Sequence, residues 1–300
     1  MNQRLTLPTA ALLTLPPLLW AGNAVVGRLV APLVPPITLN FLRWAIAFVL
    51  LLPFAWRLLR SDSPIWPRMR RYAVLGLLGV GCYNALQYLA VKTSTPINVT
   101  LVGSSMPAFM LALGAAFFGQ RITQRQVAGA LLSIAGVLLV LSHGELQHLA
   151  QVRFVAGDLY MLLATAAWAL YSWLLTRPGD PPEVRSDWAG FLIAQMVPGV
   201  MWSGLFAATE TAFTTQAIQW GWPLVAALAY VSVGPAIVAY RCWGLGVQRV
   251  GPNIAGFFSN LTPLFAALFS AAFLGEPPHL YHAAAFLLIV GGIVVSSRRH

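Results

Sequence analysis

Asn23, Arg43, Tyr83, Asn84, Gln87 and Tyr88 stand in sequence that is otherwise almost wholly apolar. Tyr83 and Gln87 are four residues apart, as are Asn84 and Tyr88, so on one helix they form two adjacent polar stripes. Trp168, Tyr171 and Ser172 put two aromatic rings and a hydroxyl within one helical turn. Ser104, and the pair Ser259-Asn260, stand just ahead of Pro107 and Pro263. These groups bind rather than react. Aromatic faces take an apolar side chain, amides and hydroxyls take amino or carboxyl groups, and one guanidinium adds charge. The pattern predicts a cavity for a small amphipathic solute.

Reacting sets are missing from the same sequence. His143 and His148, and His279 and His282, flank loops without the Cys, Asp or second pair that would complete a metal site. No glycine-rich phosphate loop occurs, so ATP-driven pumping by this chain is not expected. The two cysteines, Cys82 and Cys242, lack ligand spacing and imply no disulfide framework. No cofactor, no metal and no enzymatic activity are expected.

The elements that must position the polar groups are membrane helices. Hydrophobic residues make up 58% of the 300-residue chain and charged residues only 9%, with a mean hydropathy of +0.73. Crossing the hydrocarbon core takes about 20 residues. Ten apolar stretches qualify: 8–28, 36–57, 71–91, 96–118, 125–142, 154–175, 188–208, 220–241, 249–274 and 281–297. They are apolar all round instead of alternating, which excludes a membrane β-barrel. The net charge of +10 would point to nucleic acid in a soluble protein; here topology accounts for it, and no nucleic-acid partner is expected. With a cytoplasmic N-terminus, 14 basic residues from Arg4 to Arg299 fall inside, and only Arg28, Lys92 and Arg153 outside. Both termini are therefore expected in the cytoplasm. The first stretch lacks a small-residue cleavage site and reads as a retained span.

A repeat organises the spans. Pro96…Pro107…Ala115-Ala116-Phe117-Phe118-Gly119…Gly136 recurs 156 residues later as Pro252…Pro263…Ala271-Ala272-Phe273-Leu274-Gly275…Gly292. At a slightly smaller offset Trp20-Ala21 meets Trp168-Ala169. Five spans per half force the second half to insert upside down, the inverted repeat of secondary transporters. The expected units are residues 7–142 and 154–297. Arg121 and Arg125 align with Pro277 and Tyr281, so the same loop is basic on one side only. Pro107 and Pro263, read as lying inside their helices, each leave a carbonyl free and are expected to act as hinges beside the cavity. Arg43 is costly at that depth. It pairs with Asp158 or the carbonyls near Asn23, snorkels toward the outer headgroups, or contributes to cavity polarity or anion contact. No acidic residue lies deep in a span, which disfavours a dedicated proton relay or a tightly held cation.

The combination resembles the EamA-type branch of the drug/metabolite transporter superfamily. The resemblance is carried by Leu19-Trp20-Ala21-Gly22-Asn23, by Pro36 through Arg43-Trp44, by Pro107…Phe117-Phe118-Gly119-Gln120, and by Pro263…Phe273-Leu274-Gly275-Glu276 with Gly291-Gly292. It implies an all-α polytopic membrane protein, ten transmembrane helices in two inverted five-helix repeats. It also implies a secondary exporter of small metabolites, amino acids including aromatic ones, in a bacterial inner membrane, with a multidrug exporter as the alternative. By the same resemblance Trp20, Asn23, Tyr83, Gln87, Trp168, Ser259 and Asn260 line the central cavity. To these the residue types add Arg43, Asn84, Ser104 and Tyr171. The second repeat reads Leu170-Tyr171 where the first reads Gly22-Asn23, so the cavity is expected to be asymmetric. Its partners are a small solute and membrane lipid, and two halves can enclose one site within a monomer.

Overall fold

The computed structural model describes residues 5–94, 96–145, 147–150, 153–274 and 279–297. Arg4, Gly275, Glu276, Pro277, Arg298 and Arg299, and the side chains of His148 and 270–274, lie outside what is described. Among the described residues the chain is helical, without strands. We label the spans α1 Leu7–Val30, α2 Pro36–Leu59, α3 Trp66–Thr93, α5 Gln124–Leu141, α6 Ala156–Thr176, α7 Trp188–Phe213, α8 Trp222–Val250 and α10 Leu280–Ser297. Between them, α4 comprises α4a Pro96–Gly103 and α4b Met106–Phe117. The α9 segment comprises α9a Pro252–Phe258, a 3-10 turn Ser259–Leu261, and α9b Thr262–Leu274. Nine helices among the described residues, α4 included and α9 not, are long and apolar enough to cross a bilayer.

Local chemistry sets where these helices start. Thr123 and Gln126 form a reciprocal capping box at α5: the Thr123 hydroxyl accepts from the Gln126 amide at 3.2 Å, and the Gln126 side chain accepts from Thr123 N–H at 3.0 Å. At α2 the free amides of Ile37 and Thr38 donate to the Glu210 carboxylate of α7, at 3.1 and 2.7 Å. Gly251 alone separates α8 from α9, and its φ of 85° makes the abrupt reversal possible.

The two prolines are not interior to their helices. Pro107 is the second residue of α4b and Pro263 the second of α9b. Both stand in a first turn, where an amide would be unbonded in any case. The breaks lie just before them, at Ser104-Ser105 and Ser259–Leu261.

The inversion follows from reciprocal contacts. A Cβ added at Gly129 would meet the Gly292 carbonyl at 2.7 Å, and one at Gly136 would meet the Ala285 carbonyl at 2.9 Å. Residue 129 is the repeat mate of 285, and 136 of 292, so α5 and α10 are mates that cross antiparallel on a pseudo-two-fold axis. In the same way Gly190 of α7 abuts Leu58 and Gly204 abuts Phe41 of α2, again antiparallel mates. Absent side chains allow this close approach between helix backbones.

The longest spans share an irregularity invisible in composition. Within α3 the backbone widens to i→i+5 bonding over Gly76–Cys82, and within α8 over Ser232–Val238, the same positions shifted by 156 residues. The amide of Tyr83 reaches back to Leu78 O, and that of its mate Ala239 to Gly234 O. On return to i→i+4 bonding, the next carbonyl is passed over: Gly79 in α3, Pro235 in α8.

Replacing Gly292 by leucine should force α5 and α10 apart and lower the thermal unfolding midpoint in detergent, at a cost of about 1–3 kcal/mol. Leucine at Gly291, which faces open space, should leave the midpoint near that of the parent. Equal midpoints for both variants would refute the glycine-mediated crossing.

Candidate functional site

A cavity of about 660 Å³ lies between α1, α3, α4a and α9b. Its buried floor includes Ala21, Tyr83, Met106 and Asn260, and its rim includes the exposed Arg28, Ala31 and Lys92. It opens where α1 ends and α2 begins. The opposite end is shut. There α4b packs against α9a, with Met110 close on Gly256, while the mates of this pair, α4a and α9b, lack the corresponding packing among the described residues. The breaks in α4 and α9 therefore divide each span into one half that seals the bundle and one that lines the opening.

Of the residues expected at the cavity, Trp20, Tyr83, Gln87, Ser104, Ser259 and Asn260 line it, as does Pro263. Tyr83 and Gln87 share the cavity-facing stripe of α3. Asn260 donates to Ser133 at 2.9 Å and so ties the break in α9 to α5. Ser104 caps its own helix, bonding Leu101 O at 2.6 Å.

Asn23, Arg43, Asn84, Trp168, Tyr171 and Pro107 do not line the cavity. The first three form a buried network one residue behind its wall, because Tyr88 occupies the wall itself. The Arg43 guanidinium donates through Nη1 to Asn84 Oδ1 at 2.9 Å and to the Tyr88 hydroxyl at 3.4 Å. Tyr88 in turn donates to Asn23 Oδ1 at 3.1 Å. Asn84 Nδ2 donates to the Tyr240 hydroxyl at 3.2 Å, joining residues 156 apart. Arg43 does not snorkel; it is 0% exposed. Nor does it reach Asp158, whose carboxylate is taken by Ser94, by Asn98 at 2.7 Å and by the amide of Val155 at 2.8 Å.

Beneath the floor lies a block of aromatic rings. Trp168, fully buried, meets Trp20 edge-on at 5.2 Å and lies 4.6 Å from Tyr83, 5.0 Å from Tyr171, 5.1 Å from Tyr240 and 5.6 Å from Trp243. The two carbonyls freed by the widened turns anchor this block. Trp20 Nε1 donates to Pro235 O at 3.3 Å, and the Tyr240 hydroxyl donates to Gly79 O. On the far side Tyr171 and Tyr240 border a second cavity of about 60 Å³ at the shut end. Tyr171 donates there to Gln195 at 3.0 Å. Asn23 and its counterpart Tyr171 thus serve opposite sides of one aromatic barrier.

From sequence Tyr240 and Trp243, near the end of α8, read equally well as an interfacial belt and as cavity residues. Both are buried in the barrier. The available signal was the spacing of 156 between Asn84 and Tyr240. The His279 and His282 rings lie 6.1 Å apart, and no three His, Cys, Asp or Glu residues among those described gather as metal ligands.

An ionic clasp joins the halves at the shut end. Arg71 of α3 holds Asp180, beyond α6, through Nε at 2.7 Å and Nη2 at 3.0 Å, and also bonds Leu174 O and Arg177 O. Arg185 adds a bond to the same carboxylate at 2.7 Å. Burial pushes the Asp180 carboxyl up, but the Arg71 and Arg185 guanidiniums outweigh it and hold the group below its usual value.

Fold and site together define a multi-pass membrane transporter whose central cavity is open at one end. The sequence profile of the EamA-like transporter family matches residues 7–142 and again 155–298, and the chain belongs to that family. It is 27% identical to an aromatic amino acid exporter, YddG, of Ancylobacter novellus, over 80% of this chain and 77% of that protein. It is 25% identical to a probable amino-acid metabolite efflux pump of Salmonella typhimurium, over 92% and 90%. An uncharacterized transporter of Archaeoglobus fulgidus is 26% identical over 97% and 98%. A chain of known crystal structure superposes with a TM-score of 0.72 at 22% identity, covering 96% of each chain, which supports the fold alone.

Because the folded-state value of Asp180 is depressed, the clasp contributes fully above the ordinary carboxylate range and is lost as pH falls through the lowered value. Asp180→Asn should destabilise the protein at pH 7 by about 2 kcal/mol, the scale of charge-assisted hydrogen bonds. Thermal melts of parent and variant should converge on acidification; a gap independent of pH would rule the clasp out.

Proposed function

We propose that this protein is a secondary exporter of small metabolites, amino acids with aromatic or other apolar side chains among them, working by alternating access in a bacterial inner membrane. The observation that carries this reading is the cavity itself. Trp20 and Tyr83 offer ring faces while Gln87, Ser104, Ser259 and Asn260 offer amide and hydroxyl groups, a lining suited to a solute with one apolar and one polar end. Its volume of about 660 Å³ is in the range of small-molecule sites. The names carried by the Ancylobacter and Salmonella relatives point the same way.

In this reading α9 serves as the tenth span, residues 7–142 and 154–297 are the two repeat units, and one chain is the working unit. With both termini in the cytoplasm, as the basic loops favour, the open end faces outward. Export then requires the α4b–α9a seal to part while α4a and α9b close, with the breaks ahead of Pro107 and Pro263 as hinges.

Purified protein in liposomes should exchange labelled phenylalanine or leucine across the membrane. Lipophilic cations should neither cross nor compete. Gln87→Ala should reduce the flux about tenfold, the effect of losing one hydrogen bond to a charged group, with a melting temperature close to the parent's. Movement of cations alone would favour the multidrug reading. Unchanged flux in the folded variant would refute this cavity as the site.

A further inference from the structure

Among the described residues Arg43 is the only basic residue set deep in a span and fully buried, and its bonding is incomplete in a specific way. Nη1 is engaged by Asn84 and Tyr88, whereas Nε and Nη2 have no partner although both are buried. Nε–H and Nη2–H lie on one edge of a guanidinium and point in parallel, the fork that grips a carboxylate through both oxygens. The same protein shows that fork filled: Arg71 uses Nε and Nη2 to hold the two oxygens of Asp180. Among the described residues no carboxylate fills it at Arg43. Asp158 and Glu210 are taken by amides at the starts of α6 and α2.

The approach to Arg43 is cationic as well. Among the residues lining the large cavity, those with charged side chains are Arg28 and Lys92, at its rim. Arg43 stands one hydrogen bond behind the wall, through Tyr88. A solute in the cavity therefore meets positive charge at the mouth and, behind Tyr88, a guanidinium whose Nε/Nη2 edge is unfilled. No lining residue offers negative charge to an ammonium group.

Resting on the transport reading of this cavity, we infer that the recognised feature of the cargo is its carboxylate, taken by the Nε/Nη2 fork of Arg43 once Tyr88 yields, and that the amino group is dispensable. Apolar monocarboxylates without an amino group are then ligands alongside amino acids, and amines without a carboxylate are not. Arg28 and Lys92 raise the local concentration of such anions.

The test is binding to the purified, full-length protein, read as heat stabilisation and titrated for affinity. The probes share one skeleton: L-phenylalanine, 3-phenylpropionate and phenethylamine. The first two should stabilise with affinities within about threefold of each other, and phenethylamine about tenfold or more weakly, one charge-assisted bond's worth. Arg43→Lys, which keeps the charge and loses the fork, should weaken carboxylate binding about tenfold. Arg43→Gln should abolish it. The Arg28→Gln/Lys92→Gln double variant alters exposed side chains only; it should weaken carboxylate binding at low salt and match the parent at high salt.

Equal stabilisation by phenethylamine, no stabilisation by either carboxylate, or full affinity in Arg43→Lys would each overturn the inference. Should Arg43→Gln not fold, the lysine variant and the probe series still decide. Carboxylate binding without flux in liposomes would sink the export reading and leave this one standing. Flux of phenethylamine with no carboxylate binding would do the reverse.

Discussion

Every backbone amide and carbonyl of a membrane span must find a partner inside the protein, because hydrocarbon offers none. Among the described residues the spans α3, α4, α8 and α9 are each broken, and the rest of the structure is arranged around those breaks. The widened turns of α3 and α8 release one carbonyl each, Gly79 and Pro235, at matching positions of the repeat. Two aromatic donors satisfy them: Tyr240 takes Gly79 O and Trp20 takes Pro235 O. The rings that receive the backbone's spare bonds are the ones that floor the cavity and wall it off from the shut end. Closing the polar account of the helices and building the barrier are one structural act.

The same constraint explains how a guanidinium survives at the centre of the fold. An isolated charge there costs several kcal/mol even after relaxation. Arg43 is partly solvated by neutral dipoles instead of a counter-ion: Asn84 Oδ1, the Tyr88 hydroxyl and, at 5.3 Å from the guanidinium carbon, the face of Trp44. Asn84 passes polarity on to Tyr240 and Tyr88 to Asn23. Each donor in this chain points away from Arg43, so acceptor oxygens face the charge and the bonds reinforce one another. Such a network holds a residual positive field in place, which a paired Asp or Glu would have cancelled.

The sequence made the architecture legible and the site only partly so. Apolar runs and the 156-residue repeat survive any local irregularity, because they depend on composition summed over whole spans. The breaks do not. A helix that is apolar all round has no periodic stripe to betray a one-residue widening, so nothing in Gly76–Cys82 announces that Gly79 O is free. The prolines were visible, yet Pro107 and Pro263 mark where new helices begin and not where continuous ones bend. Depth was also hidden: Trp20 and Trp168 occupy equivalent positions, but only Trp20 reaches the cavity, since α4 and α9 pack differently at the two ends. Tyr240 could be read as interfacial from its place near an arginine, and only its register with Asn84 placed it inside.

That difference between the ends departs from a symmetry that the helix crossings keep. The α5–α10 and α2–α7 crossings, the paired widened turns and the Asn84–Tyr240 bond all respect the pseudo-two-fold axis. A contact on the axis joins equivalent positions, so exchanging the roles of the halves need not break it. The contacts that would have to exchange are those off the axis: Met110 on Gly256, and Arg71 on Asp180. Both lie at the shut end, and both are formed by residues whose mates are chemically different. Gly256 corresponds to Thr100, and Asn23 beside the open cavity corresponds to Tyr171 beside the closed one. An arrangement with the ends reversed would therefore share the present helices and crossings but not the present energies. The repeat supplies two related states, and the mismatched side chains decide which is favoured when the cavity is empty.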